Sequence, residues 1–285
     1  MATKGTRIVI LGGRGMLGSD LALAFRQQGL DPVILDLPEF DITDTNHLRQ
    51  AVCDARVIVN CAAFTNVDGA ESQAELAYRV NGEAVGRLGA LARGADAYVL
   101  HVSTDFVFDG RSNRPYVETD PSNPISTYGK SKLEGEQLLG KSGCRYCILR
   151  VEWTYGSAGT NFVSKLIQRA KADPARAGLK VVDDQVGSPT ATTEVSKVIC
   201  TLLKDRPEGI FHFAGAGYVS RYEMAKFIVA KLSMDIDVLP CKTSDFPSPA
   251  ARPLNSRFDC SKIRRLLGEP IEPWQGPLER FLRQL

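Results

Sequence analysis

The sequence has almost no net charge and no long apolar run. It contains 35 Lys and Arg against 33 Asp and Glu, a formal net charge of +2, so electrostatics give no reason to expect a nucleic-acid partner. No apolar run approaches the roughly 20 residues that cross a bilayer, and the residues before the first apolar run lack the core of a secretory signal. We therefore expect neither nucleic acid nor membrane among the partners.

Histidine is scarce, and the cysteines form no framework. His47, His101 and His212 are too scattered to indicate a metal site. The seven cysteines are odd in number and lie in apolar segments, which predicts reduced thiols and a cytoplasmic location. Cys144-x-x-Cys147 has the spacing of a redox or metal motif, but Cys147 lies inside a strand-like stretch and no second pair follows it. We expect no metal there.

A glycine-rich turn follows the first apolar run. Residues 7–11 predict a buried strand, and the turn GGRGMLG occupies 12–18. Apolar residues at helical spacing come next, so strand, turn and helix stand in the order that places a pyrophosphate on a helix N-terminus. The alternative is a glycine turn without a ligand. We predict dinucleotide binding by the residues of this turn, namely Gly12, Arg14, Gly15, Met16 and Leu17.

Asp36 ends the second predicted strand, at 31–36. It falls about 20 residues beyond the glycine turn, where an acid bonds the adenosine ribose. Its carboxylate would repel a 2′-phosphate and so favours NADH, whereas Arg14 favours NADPH. The alternative role for Asp36 is a cap of a helix or turn. The cofactor prediction is NADH or NADPH, with a slight preference for NADH.

Tyr128 and Lys132 are spaced four residues apart in a predicted helix. Side chains at this spacing share one helix face, and a nearby ammonium is expected to lower the pKa of the phenol. Tyr128 could then exchange a proton with a substrate oxygen. Thr104, at the end of the fourth predicted strand, could hold the same oxygen. The pair alone is a weak signal, but the dinucleotide turn strengthens it.

Strands and helices alternate through the first half of the chain. The pattern predicts an α/β protein with a Rossmann-type, doubly wound parallel sheet and a smaller C-terminal substrate-binding lobe. We expect residues 1–152 to form the dinucleotide-binding domain and 153–285 mainly the lobe, although segments near 180–215 could return to the sheet. Strands are predicted at 7–11, 31–36, 56–62, 97–103, 145–150, 181–185 and 209–213, and helices at 72–93 and about 127–140.

Several motifs together resemble the extended short-chain dehydrogenase/reductase superfamily and, more narrowly, the dTDP-4-dehydrorhamnose reductase family. Two of them, DQVGSPT and RPLNS, are specific to the narrower branch. The match runs nearly end to end, over 12–18 (GGRGMLG), 60–68 (NCAAFTNVD), 102–110 (VSTDFVFDG), 124–136, 161–162, 184–190 (DQVGSPT) and 252–256 (RPLNS).

The resemblance implies reduction of a nucleotide-linked 4-keto-6-deoxy sugar, the last step of dTDP-L-rhamnose synthesis. Tyr128 would donate the proton, Lys132 would lower its pKa and bond the nicotinamide ribose, and Thr104 would orient the keto oxygen. Further implied roles are substrate contacts for Asp105, Trp153, Arg252 and Asn255, and cofactor contacts for Asp41, Ile42, Ala62, Ala63 and Thr65.

The chain also departs from the family pattern. Val151-Glu152 stands where small hydroxyl residues are usual, which places an acid beside the expected pocket and leaves the exact sugar open. Some relatives bind Mg²⁺ through acids at a dimer contact. Asp20 and Glu194 match two such acids without a third, so a homodimer is possible and bound Mg²⁺ is doubtful.

Two other functions remain open from the sequence. A nucleotide-sugar epimerase or dehydratase would recycle its cofactor, but a dehydratase needs a second proton-transfer group after Asp105, and Phe106 stands there. A non-catalytic subunit resembling the methionine adenosyltransferase regulatory subunit would keep only the cofactor fold. Intact Thr104, Tyr128 and Lys132 favour the reductase.

Overall fold

A computed structural model describes residues 7–172 and 178–285. The described strands are β1 (Ile8–Leu11), β2 (Val33–Leu35), β3 (Val57–Asn60), β4 (Tyr98–Thr104), β5 (Tyr146–Val151), β6 (Thr154–Tyr155), β7 (Leu179–Val182), β8 (Val186–Gly187), β9 (Thr190–Ala191), β10 (Gly209–Phe213), β11 (Val219–Ser220) and β12 (Val238–Cys241). The α-helices are α1 (Met16–Gln27), α2 (Thr45–Val52), α3 (Val67–Ser72), α4 (Ala74–Tyr78), α5 (Ala84–Gly94), α6 (Thr127–Lys141), α7 (Phe162–Lys171), α8 (Thr192–Asp205), α9 (Arg221–Lys231), α10 (Ser261–Leu267) and α11 (Gln275–Leu282).

A six-stranded parallel sheet forms the centre of the molecule, in the order β10-β5-β4-β3-β1-β2. The predicted α/β fold with a parallel, doubly wound sheet is therefore confirmed. Strand β1 lies between β2 and β3, so β2 is added on one side of β1, and β3, β4, β5 and β10 are added on the other. Ligands of open α/β sheets bind at this switch point, beyond the carboxyl ends of the strands.

Both faces of the sheet are covered by apolar residues. Alternate residues of β1 enter different cores: Ile8 and Ile10 pack with α1 and α8, whereas Val9 and Leu11 pack with α2 and α5. This division follows from the two-residue period of a strand, which turns successive side chains to opposite faces. Strands buried on both faces read as continuous apolar runs, which is why the first strand could be predicted from sequence.

The helix predicted at 72–93 is confirmed within two residues, because the chain is helical from Ala74 to Gly94, but the sequence did not indicate the π-helical turn inside it. Helix α3 begins at Val67, Gln73 leaves helical geometry with φ −124° and ψ 46°, and α4 is followed by a π-helical turn over Arg79–Glu83 before α5. Asn81, inside the π-helical turn, accepts from the Phe64 amide at 2.8 Å and donates to its carbonyl at 3.1 Å. The irregular turn thus holds the loop after β3.

The last third of the chain contributes to both parts of the molecule. Strand β10 pairs with β5 at one edge of the central sheet, and α8 packs in the same core as α1. The strand expected at 181–185 ends earlier, and β7 pairs with β12 in a separate two-stranded sheet. A third core around Trp153, Tyr155 and Trp274 joins this small sheet to α7, α9 and α11.

All seven cysteines are free thiols, as predicted. Among the described residues, no helix combines the length and the apolar character needed to span a bilayer.

Candidate active site

A cleft of about 620 Å³ lies over the carboxyl ends of β1, β3 and β4. It brings together both groups of predicted residues, although they come from distant parts of the sequence. The predicted cofactor-binding residues found in the cleft are Gly12, Gly15, Met16, Leu17, Asp36, Asp41, Ile42, Ala62, Ala63 and Thr65. The predicted catalytic and substrate-binding residues found there are Thr104, Asp105, Tyr128, Lys132 and Trp153.

The glycines of the first turn have different functions. Gly12 has φ 71°, and a Cβ there would lie 2.6 Å from the Ala62 amide nitrogen. A Cβ on Gly18 would collide with the Gly12 carbonyl oxygen. A Cβ on Gly15 would lie 3.3 Å from the Gly12 carbonyl oxygen. The protein's own packing requires the first and third glycines, whereas the middle one leaves space on the cleft where a phosphate can approach the backbone.

Arg14 lies outside the cleft and its charge is paired. Its guanidinium Nη1 donates to Glu39 Oε2 at 2.7 Å and to the Leu37 carbonyl at 3.1 Å. The Asp36 carboxylate accepts from the Arg14 and Leu37 amides, each at 2.8 Å. Asp36 therefore lines this end of the cleft, and the exposed ion pair of Arg14 with Glu39 lies beside it.

Thr104 ends β4, while Tyr128 and Lys132 lie in the first turns of α6, whose Ser126 N-cap accepts from the Gly129 amide. Tyr128 is 9% exposed and Lys132 2%. The Lys132 ammonium donates to the Val102 carbonyl at 2.7 Å and lies 3.3 Å from His101 Nε2. The helix and strand ends thus place a phenol, an ammonium and a hydroxyl in one buried corner.

The expectation that the pKa of the Tyr128 phenol lies below its usual value is wrong for this structure. Burial raises the pKa of Tyr128 to about 12, and it is a hydrogen bond with Thr104 that lowers it, against the charge of Asp105. Burial also lowers the pKa of the Lys132 ammonium to about 8. The physical reason is that removing both groups from water disfavours their charged forms. Tyr128 is accordingly a protonated phenol at neutral pH.

A second cleft, of about 280 Å³, adjoins the first and shares Phe106, Trp153 and Arg221 with it. Trp153 has φ 47°, a backbone conformation that is costly for large side chains and concentrates at ligand sites. The other residues lining this outer cleft are Phe162, Val182, Gln185, Thr243, Phe246, Ser248, Arg252, Pro253 and Ser256.

Of the predicted substrate residues Arg252 and Asn255, only Arg252 lines a cleft. Arg252 lines the outer cleft, and its guanidinium donates to Asp68 Oδ2 at 2.7 Å. Asn255 lines neither cleft, since its amide donates to the carbonyls of Ser112 and Arg114, both at 2.9 Å. Its contacts hold a loop in place, and its substrate role stays a prediction.

Glu152 lies behind the pocket wall and does not face the cleft. It is 1% exposed, and its carboxylate accepts from the amides of Ser188 at 2.9 Å and Phe258 at 3.2 Å. Burial raises its pKa well above the usual range, with a further contribution from Asp105. The expectation of an acid beside the substrate is corrected: Glu152 joins the segments that follow β8 and precede α10. The neighbouring Ser256 donates to Asp105.

Comparison with known proteins agrees with this geometry. Residues 6–285 match the family described as the RmlD substrate binding domain. A dTDP-4-dehydrorhamnose reductase of Aggregatibacter actinomycetemcomitans is 36% identical over 290 residues, covering 96% of this chain and 98% of the relative. A second, from Sinorhizobium fredii, is 34% identical over 292 residues, covering 97% and 96%. The chain belongs to the dTDP-4-dehydrorhamnose reductase family.

The family fold is shared in detail. The crystal structure of the Bacillus anthracis dTDP-4-dehydrorhamnose reductase in complex with NADP superposes with a TM-score of 0.92 at 34% identity, covering 98% of this chain and 99% of that one. The resemblance of the sequence motifs to this reductase family is therefore confirmed.

Reasoning from the sequence missed Arg221, which lies where the two clefts of this family member meet. It is the first residue of α9, directly after the N-cap Ser220, whose hydroxyl and amide form a capping box with Glu223. The sequence SRYE carried that signal for a helix start. Nothing in the sequence indicated that this helix begins beside Trp153.

The two acids matched to the Mg²⁺ site of some reductases in the family do not form a cluster. Asp20 accepts from the Thr192 hydroxyl at 2.5 Å, and Glu194 pairs with Lys197 at 2.8 Å and with Arg280 at 3.3 Å. Within residues 7–172 and 178–285, no group of three or more His, Cys, Asp or Glu could hold a metal ion. A homodimer stays a prediction.

Proposed function

We propose that this protein is an NAD(P)H-dependent oxidoreductase that reduces the 4-keto group of a nucleotide-linked 4-keto-6-deoxy sugar. The best candidate reaction is conversion of dTDP-4-dehydrorhamnose to dTDP-L-rhamnose. The observation that carries the proposal is the meeting of Thr104, Tyr128 and Lys132 in a dinucleotide cleft that opens into a second cleft. Membership of the reductase family supports the same substrate class.

The residues of the cleft suit a nicotinamide dinucleotide. The space beside Gly15 at the start of α1 suits a pyrophosphate, Asp36 is positioned for the adenosine ribose, and Lys132 for the nicotinamide ribose. When bound, this cofactor supplies the hydride for the reduction. The relative from Bacillus anthracis, which was solved with NADP, supports a nicotinamide cofactor.

Tyr128 is the proposed acid of the reaction. Its phenol, with a pKa raised to about 12 by burial, is protonated at neutral pH and can donate to the keto oxygen as that oxygen gains negative charge. The Thr104 hydroxyl donates to Asp105 at 3.0 Å in this structure and is proposed to turn its single O–H to the keto oxygen when the substrate binds. The Lys132 cation stabilises the phenolate left after donation.

We also propose that NADH serves at least as well as NADPH. Asp36 and Glu39 place two carboxylates at the ribose end, and the Arg14 cation that could bind a 2′-phosphate is already paired with Glu39 at 2.7 Å. The three side chains together carry one net negative charge, which would oppose the roughly doubly charged phosphate of NADPH.

Phe106 argues against a dehydratase. Its ring meets the Tyr128 ring edge-on with centroids 5.4 Å apart, so a group unable to transfer protons occupies the position after Asp105. The presence of Thr104, Tyr128 and Lys132 together in one cleft argues against a purely regulatory role.

Stoichiometry tests the proposal. Purified protein is supplied with dTDP-4-dehydrorhamnose and NADH, and sugar reduced is compared with cofactor oxidised. We expect equal amounts and no turnover without added NADH or NADPH. Sustained conversion without added cofactor would instead support an epimerase or dehydratase. No conversion of any sugar in a panel of dTDP- and UDP-linked 4-keto sugars would support a regulatory subunit.

A further inference from the structure

We propose that Arg221 binds the diphosphate of the nucleotide sugar and is the main determinant of affinity for the nucleotide part. This inference rests on the proposed function, because it assumes a substrate with a sugar at one end and a nucleoside at the other. Three residues line both clefts, and of these Phe106 and Trp153 are aromatic while Arg221 is cationic.

The order of the lining residues along the two clefts places the parts of such a substrate. The reacting sugar must lie next to Tyr128 and Thr104 in the inner cleft. The nucleoside then reaches the outer cleft, where Phe246, 42% exposed, offers a ring face for a base. The diphosphate joins these two parts, so it must pass the junction where Arg221 lies.

The Arg221 guanidinium lies over two aromatic rings. Its central carbon lies 3.5 Å from the centre of the Trp153 ring and 4.7 Å from that of Phe162. Stacking on aromatic faces fixes the plane of the guanidinium but leaves its N–H groups directed outward along the edges. A fixed planar fork of this kind suits two oxygens of a phosphate.

The N–H groups of Arg221 have no acceptor among the described side chains. Its main-chain amide donates to the Gln185 carbonyl at 3.2 Å, but within residues 7–172 and 178–285 no carboxylate forms an ion pair with its side chain. Arg252, in the same cleft, is different because it is paired with Asp68 at 2.7 Å. Arg221 is therefore the cation of this cleft that remains available to an anionic ligand.

Buried acids near Arg221 keep it charged without occupying it. Burial lowers the pKa of the guanidinium to about 9, while Asp105 and Glu152 act to raise it. The side chain thus remains cationic at neutral pH. Glu152 accepts from the amides of Ser188 and Phe258 and therefore leaves the N–H groups of Arg221 free.

The test measures binding of dTDP, dTMP and thymidine to the protein saturated with NAD⁺, by calorimetry. We compare wild type with Arg221→Met, Arg221→Lys and the control Lys226→Met, which removes one exposed positive charge from the same helix. For Arg221→Met we expect dTDP affinity to fall by about 10- to 100-fold, the range for a charged hydrogen-bonding group. Thymidine affinity should stay unchanged, as should all affinities of Lys226→Met.

Arg221→Lys should lose several-fold less than Arg221→Met, because an ammonium keeps the charge but not the fork. If Arg221→Met does not fold, the dTDP affinity of Arg221→Lys tests whether Arg221 binds the diphosphate. Wild-type affinity for dTDP in the folded Met or Lys variant would overturn the role of Arg221 and leave the proposed function standing. If wild-type protein binds NADH but neither dTDP nor UDP, both are overturned.

Discussion

Arg150 and Glu136 form a buried ion pair beneath the helix that carries Tyr128 and Lys132. The Arg150 Nη2 atom lies 2.6 Å from Glu136 Oε2, and both side chains are 3% exposed. Ser103, next to Thr104, donates to the other carboxylate oxygen at 2.5 Å. The pair therefore joins α6 to β4 and β5, the two strands beside the proposed catalytic residues.

Glu136→Ala should destabilise the protein strongly. Removing one partner leaves Arg150 charged and buried, which typically costs about 3–5 kcal/mol of the free energy of unfolding. Urea unfolding measures the change, and Glu208→Ala serves as the control, because its pair with Arg145 is more than half exposed on both sides. The control should lose less than about 1 kcal/mol. Equal losses in the two variants would show that burial of the pair is unimportant.

Tyr128→Phe should keep the fold and the cofactor affinity while losing most activity. The ring and its edge-on contact with Phe106 are retained, but the proton is lost, and general acid catalysis typically contributes about 10²–10⁴-fold. Steady-state reduction of dTDP-4-dehydrorhamnose and NADH titration measure the two effects. A loss of activity below about tenfold would mean that the proton comes from another group.

Gly15→Val and Gly18→Ala should have opposite consequences. At Gly15 the added side chain enters the space beside the start of α1, so affinity for NADH should fall while thermal stability changes little. At Gly18 even one methyl group collides with the Gly12 carbonyl oxygen, so stability should fall. Cofactor titration and thermal melting distinguish the two. Unchanged NADH affinity in folded Gly15→Val would exclude the glycine turn as the pyrophosphate site.

Glu39→Gln should shift cofactor preference towards NADPH. The substitution removes one carboxylate and releases Arg14 from its 2.7 Å ion pair, so the guanidinium can meet a 2′-phosphate. The ratio of kcat/KM for NADPH to that for NADH should rise by about tenfold, the effect of one favourable charged contact. The wild-type ratio should be one or below. A wild-type preference of tenfold or more for NADPH would contradict the proposed role of the two acids.

Activity should fall as the pH rises through about 8. Burial lowers the pKa of Lys132 to about 8, so its cation is present below that pH and is lost above it, while the Tyr128 phenol, with a pKa of about 12, remains protonated. The profile of kcat/KM for the sugar reports groups of the free enzyme. Lys132→Arg keeps its charge at every pH measured, so its profile should lack this decline. A flat wild-type profile between pH 7 and 10 would contradict the assignment.

Short-range patterns were sufficient for the fold class and most of the cofactor cleft. The apolar run 7–11 and the glycine turn after it are contiguous, and their geometry depends mainly on neighbours in the chain. The helix at 127–140 was likewise predicted close to its observed bounds, Thr127–Lys141. The helix at 72–93 was also predicted close to its observed extent, but its π-helical turn was not, because Asn81 in that turn bonds the distant Phe64 loop.

The sequence by itself determined the parallel sheet, the dinucleotide turn and the identity of Thr104, Tyr128 and Lys132 as a candidate set, because each follows from local order or from recognisable motifs. Only the tertiary structure decided the electrostatics of that set, since the pKa values of Tyr128 and Lys132 depend on burial from all sides. It also decided that Glu152 faces inward and that Arg221 meets Trp153. Such contacts join residues far apart in the chain, and no local periodicity encodes them.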